Sequence, residues 1–162
     1  MVDVTGKLFV DFSSGEKKLK KIDWDKNSDY YSFVRENNKK GLHQVILTSE
    51  IMMQLARYYF LERSLSVEAI EFIEEDSELL ENIAFLLNHI KGDRGYWGEL
   101  TKEINFLEEN SSIDLKKITV SGREEQGAPV RIYFQVNGLF AITAPLYESE
   151  SMKLMAIVEK YI

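Results

Sequence analysis

The side chains able to do chemistry are sparse in this 162-residue chain. Its two histidines, His43 and His89, stand apart, with no His-Glu-x-x-His or His-x-His pattern to seat a metal. His89 and Asp93 flank a helix end, which is too little for a metal site. With no cysteine, thiolate nucleophiles, zinc–thiolate sites and disulfides are excluded. Ser14-Gly15 and Ser121-Gly122 lack the Gly-x-Ser-x-Gly setting of a serine hydrolase. Gly92, Gly95 and Gly98 recur every third residue, but no strand precedes them and no Lys-Ser/Thr follows to cradle phosphate. Asp11, Glu16 and Lys18 have the carboxylate-plus-lysine composition of a metal-dependent nuclease site. They fall within one hairpin, whereas such sites draw their acids from separate strands. The expectation is therefore no catalytic residue, no cofactor and no metal; an enzyme without a recognisable motif is the third reading.

Binding chemistry is better represented. From Glu68 to Glu81 the chain carries seven carboxylates (Glu68, Glu71, Glu74, Glu75, Asp76, Glu78, Glu81) and no basic side chain. Residues 1–66 hold 11 Lys+Arg and 9 Asp+Glu, and residues 67–162 hold 9 and 18, so a weakly basic part of +2 precedes an acidic part of −9. Partner choice follows such an asymmetry. Ile70, Phe72, Ile73, Leu79 and Leu80 interrupt the run, which makes it an amphipathic surface, read here as two helix faces. It serves either as a solvated face that aids solubility or as a docking face for a basic partner. A calcium loop is not encoded, because Asp-x-Asp-x-Asp-Gly is absent.

Two further clusters could bind. Gly92–Trp97 combines flexible residues with Arg94, Tyr96 and Trp97, side-chain types that dominate binding hot spots. The plainer reading is a tight helix–helix turn with its rings tucked in. Lys17, Lys18, Lys20, Lys21, Lys26, Lys39 and Lys40 form the one cationic cluster, interleaved with Trp24, Tyr30 and Tyr31 in the manner of a single-strand nucleic-acid surface. Its plainer reading is a lysine-protected edge strand with core aromatics.

These residues need elements to place them. Leu8, Val10 and Phe12 alternate, Ser13–Glu16 supplies a turn, and Lys17–Trp24 returns as a partner strand. Ser28 can cap a helix to Asn38 that Gly41 stops. Gln44–Leu47 reads as a strand, and Thr48 or Ser49 caps a helix to about Arg63. Ser66 opens another helix with Ala69, Ile70 and Ile73 buried. Ser77 caps the clearest one, where Leu79/Leu80, Ile83, Leu86/Leu87 and Ile90 recur at helical spacing before Gly92. Gly98–Glu109 follows, and Ser112 caps one more turn holding Leu115 and Ile118. Lys117–Ser121 can also add a strand to the hairpin of Val130–Val136 and Leu139–Ala144. Asn137-Gly138 between those two runs is a strong turn signal. Pro145 ends the sheet, and Glu148–Tyr161 closes the chain as a helix with Met152, Met155, Val158 and either Leu154 or Tyr161 inward.

The fold class expected is α+β: an N-terminal β-hairpin, a helical middle and a C-terminal antiparallel meander with a closing helix. Residues 1–162 read as one compact domain, with sub-units 1–66 and 67–162. Within 77–136 the order of elements is similar to a winged helix-turn-helix, with Ile113–Ile118 as recognition helix and Gly122–Ala128 as wing tip. That resemblance implies a DNA-binding regulator touching phosphates through Lys116, Lys117, Arg123 and Arg131. Seven bases against eight acids over Lys91–Val136 oppose it, since a DNA-binding face neutralises several phosphates. The leading expectation is a non-enzymatic protein-binding module: an adaptor, regulator or inhibitor showing its acidic helical face to a basic partner, a nucleic-acid-binding protein being one such. Its contacts would be Glu68, Glu71, Glu74, Glu75, Asp76, Glu78, Arg94, Tyr96 and Trp97. No apolar run reaches the roughly 18 residues of a membrane span and no signal peptide is read, so a cytoplasmic location is the default. The sequence sets no oligomeric state.

Overall fold

A computed structural model describes residues 2–74, 77–111 and 114–162. Strand β1 (Asp3–Asp11) is buried along most of its length, since both its faces are covered. Leu8 and Val10 point into the main core. Lys7 and Phe9, which alternate with them, point the other way. β2 (Lys18–Asp23) returns antiparallel beside it. α1 (Tyr30–Lys39) lies over the second face, bringing Phe33 to 6.0 Å from Phe9 between ring centroids. Asp29 caps this helix through Ser32 N, in place of the expected Ser28.

β3 (Leu42–Gln44) pairs with the far half of β1. It is shorter and earlier than the Gln44–Leu47 strand expected; Val45 and Leu47 bond instead to Leu8 O and Val136 O as an extended connector. Thr48 caps α2 (Ser49–Arg57) as the sequence indicates, and a π-helical turn, Tyr58–Glu62, extends it. β4 (Ser66–Phe72), α3 (Ser77–Gly92), a 3-10 turn at Arg94–Tyr96 and α4 (Trp97–Ser111) follow. β5 (Leu115–Arg123), β6 (Pro129–Gln135) and β7 (Leu139–Thr143) form the meander, and α5 (Tyr147–Glu159) closes it.

The seven strands make one antiparallel sheet in the order β2-β1-β7-β6-β5-β4, with β3 extending the β7 side of β1. Residues of α2, α3, α4 and α5 pack on one face around Leu55, Tyr59, Ile83, Ile104, Phe134 and Leu154. On the other face α1 covers the β1 end, while Lys117, Tyr133 and Gln135 of β5 and β6 stay half-exposed. This is the α+β class expected. The Asn137-Gly138 turn joins β6 to β7, with Gly138 at φ +83° and an added Cβ there 2.6 Å from Val45 O.

Two expected helices are strands. Ser66 opens β4, and Leu115 and Ile118 lie in β5, so the third helix of the winged-helix order is absent from 115–118; Ile113 lies outside the described residues. The cause is a pair of β-bulges. Val67 and Ala69 face Val120 and Thr119, leaving Glu68 as an extra residue in β4. Glu71 and Phe72 face Lys117 and Leu115, leaving Lys116 extra in β5. A bulge adds one residue to one strand, so core positions fall three apart rather than two. Val67/Ile70 and Leu115/Ile118 therefore mimic a helical period. Ile73 and Met152, expected inward, are 54% and 61% exposed.

Candidate protein-binding surface

Strand pairing brings the two rival sets of site residues together. Glu68 accepts a hydrogen bond from Ser121 Oγ and lies 3.3 Å from Arg131 Nε. Glu71 lies 4.0 Å from Lys117 Nζ, which also sits 4.1 Å from the centre of the Tyr133 ring. Two carboxylates of the acidic set thus neutralise two cations of the DNA-contact set. Arg123 is bonded to Gly127 O within its own hairpin loop, while Lys116 is exposed at its bulge. Exposed pairs of this kind contribute little to stability, but they lower the charge available to a partner.

The remaining acids lie beyond β4. Glu74 is exposed just after the strand, and Glu78 stands in the first turn of α3, where the helix dipole favours a carboxylate. Glu75 and Asp76 lie outside the described residues. Residues 66–111 hold twelve carboxylates against three bases. They include β4, at one edge of the sheet, whereas the lysine strand β2 is the opposite edge. Five strand spacings put these edges about 24 Å apart, so the charge asymmetry of the sequence is also one of space. Trp24 and Tyr30, read as a nucleic-acid surface, are engaged with each other at 5.5 Å; Tyr31 alone of that set is 75% exposed.

The Gly92–Trp97 turn divides by residue. Arg94 donates to Phe60 O and Leu61 O, capping the carbonyls of the π-helical turn, and lies 5.0 Å over the Phe60 ring. Trp97 stacks on the same ring at 5.1 Å. These two residues fasten the α3–α4 hairpin to α2. Tyr96 stays 37% exposed and packs on His89 at 5.1 Å, and His89 packs on Phe85 at 4.1 Å. Phe85 is 59% exposed. The apolar period of α3 marks only core positions such as Ile83, Leu87 and Ile90, and Phe85 falls outside it. Its place about 200° around the helix from Ile83 is the signal that marks it as outward.

Other polar groups serve the interior. Asp11 pairs with Lys20 at 2.8 Å across the hairpin, and this bond with those from Ser13 holds its carboxyl well below the usual range. That arrangement accounts for Asp11 without a nuclease site. His43 is exposed, edge-on to Phe12 at 5.5 Å. Glu150, 1% exposed, receives both terminal nitrogens of Arg63 at 2.9 and 2.6 Å. Burial opposes its ionisation, yet Arg63 and Lys153 outweigh that and hold the carboxyl below its ordinary value. Next to this pair a recess of about 560 Å³ is lined by Glu62, Arg63, Ser64, Arg123, Glu124 and Lys153 among others. Ser64 there is the one non-glycine residue at positive φ (55°) among the described residues. Nothing in the sequence joined Arg63 to Glu150, which lie 87 positions apart.

No group of three or more potential metal ligands is found among the described residues. No helix among them is long and apolar enough to cross a membrane. Fold and surface define a class: an α+β protein with one antiparallel sheet whose lysine-rich strand β2 and acidic strand β4 are opposite edges, with α3 packed against β4. Comparison with family models, curated proteins and solved structures gives no match.

Proposed function

We propose that this chain is a non-enzymatic protein-binding module, an adaptor, regulator or inhibitor that acts in the cytoplasm and offers its acidic edge to a basic protein. The observation that carries this reading is the separation of charge across the sheet, with β4, which α3 contacts, about 24 Å from the lysine edge. Opposed potentials of that kind steer and orient a charged partner. Within β4, Glu68 and Glu71 are matched by Arg131 and Lys117, so they add little to the charge of that edge. DNA contact through Lys117, Arg123 and Arg131 is disfavoured for the same reason, since each of these bases is engaged within the chain.

A photo-crosslinking amino acid placed at Phe85 tests the proposal, with the same group at Glu16 as a control on the opposite edge. A discrete adduct with a basic protein is expected from position 85 only, and it should disappear when Glu78 and Glu81 are changed to Lys. Equal labelling from both positions, or an adduct insensitive to the charge reversal, would refute it.

A further inference from the structure

The outer stripe of α3 reads Glu78, Glu81, Phe85, His89, each three or four residues from the last, which places them in one line. The carboxylates occupy its first half and the rings its second, and Tyr96 from the following turn extends the rings past the helix end. Isolated surface apolar residues need no explanation. These rings are contiguous, and their neighbours are one another rather than the core: Phe85–His89 at 4.1 Å and His89–Tyr96 at 5.1 Å. The His89 ring is oriented by Nδ1, 2.9 Å from Phe85 O. A carbonyl can only accept, so Nδ1 donates to it.

A platform with π-faces and adjacent carboxylates matches one side chain best. The guanidinium is planar, stacks on aromatic faces, donates through five N–H groups and sheds water more readily than an ammonium. Resting on the acidic-edge reading above, we infer that the Phe85–His89–Tyr96 strip receives an arginine of the partner, which lies as a basic amphipathic helix along α3 with further cations at Glu78 and Glu81. The stripe from Glu78 to His89 spans twelve residues, about 16 Å at the helical rise, or some three turns of a partner helix. Charge complementarity fixes the sign of that helix, and the rings fix which cation sits at the Tyr96 end.

The probe is a synthetic 16-residue amphipathic helix with leucines on one face and arginines on the other, alongside a twin with every arginine replaced by lysine. Fluorescence anisotropy is read at 0.15 M salt. Both peptides should bind, and both should weaken when Glu78 and Glu81 become Lys. Phe85→Ala should weaken the arginine peptide about fivefold, the scale of one exposed cation–π contact, and the lysine peptide less. Tyr96→Ala should act in the same direction, and unchanged thermal unfolding of either variant shows the fold intact. If charge reversal weakens both peptides while Phe85→Ala and Tyr96→Ala leave the arginine peptide unchanged, the ring inference falls and the acidic-edge reading stands. If neither peptide binds, or charge reversal changes nothing, both fall.

Discussion

Lys7 offers the sharpest test of the energetics. It lies on β1, is fully buried, and donates its ammonium hydrogen bond to Asn137 O. The rings of Phe9 and Tyr30 stand 5.7 and 5.5 Å from Nζ, and none of the ion pairs among the described residues includes it. Burial lowers its pKa from 10.5 to about 8. The unfolded chain therefore binds the proton more tightly, and folding opposes protonation. Each pH unit of that gap is worth 1.36 kcal/mol, so charged Lys7 costs about 3 kcal/mol below pH 8. The cost fades as pH rises from about 8 towards 10.5, which predicts a gain of about 2 kcal/mol between pH 7 and pH 9.5. Lys7→Met removes the charge at similar volume but leaves the Asn137 carbonyl short of a donor, a loss of about 1–2 kcal/mol. The variant should be more stable than wild type by about 1–2 kcal/mol at pH 7 and level with it by pH 9.5. Urea unfolding followed by tryptophan fluorescence at fixed ionic strength measures both. A flat wild-type profile over that range, or a variant that is less stable at pH 7 and keeps the wild-type slope, would refute the reasoning.

Three other perturbations follow from named contacts. Arg63→Ala strands Glu150, 1% exposed, without its bidentate partner, and should cost about 3–5 kcal/mol by urea unfolding, with Arg63→Met plus Glu150→Leu recovering most of it. Gly138→Ala adds a Cβ 2.6 Å from Val45 O at φ +83°. It should lose about 2 kcal/mol or more and lower the unfolding midpoint, whereas Gly15→Ala, with open space around it, should lose only the left-handed backbone term. Thr48→Ala removes the side-chain bond to Ile51 N and should cost about 1 kcal/mol, visible in the same titration.

The elements legible in the sequence are those whose local signal agrees with their tertiary role. Asn137-Gly138 has one favoured turn geometry, Thr48 and Ser77 begin helices whose apolar residues recur at a helical period, and Pro145 ends β7 where no further donor is needed. The two strands read as helices share one cause. Glu68 and Lys116 are single residues inserted into paired strands, and each shifts its neighbours' core positions from two apart to three. A period read along one chain cannot reveal an insertion that is defined only against the partner strand. The same limit hid the pairing of Glu68 with Arg131 and of Glu71 with Lys117, which turned two opposed candidate surfaces into one nearly neutral patch. Within the binding surface, Tyr96 was visible as a ring in a glycine-rich turn. Phe85 was visible only as a break in the pattern, since an aromatic on the outward side of an amphipathic helix contributes nothing to the core signal.

The place of β1 in the sheet governs how the molecule is made. Asp3–Lys7 pair with Leu139–Thr143, so β1 is bonded to a strand made more than 130 residues later. The β1–β2 hairpin can form early, but the other edge of β1 stays open until β7 is synthesised, and β3 fills only its far half. Contacts this distant along the chain slow folding and prolong exposure of an unpaired strand. That strand is unusually apolar from Leu8 to Val10 and carries the buried Lys7. A protonated lysine in the open edge discourages pairing with a foreign strand during that interval. The residue that burdens the finished fold thereby protects the nascent one.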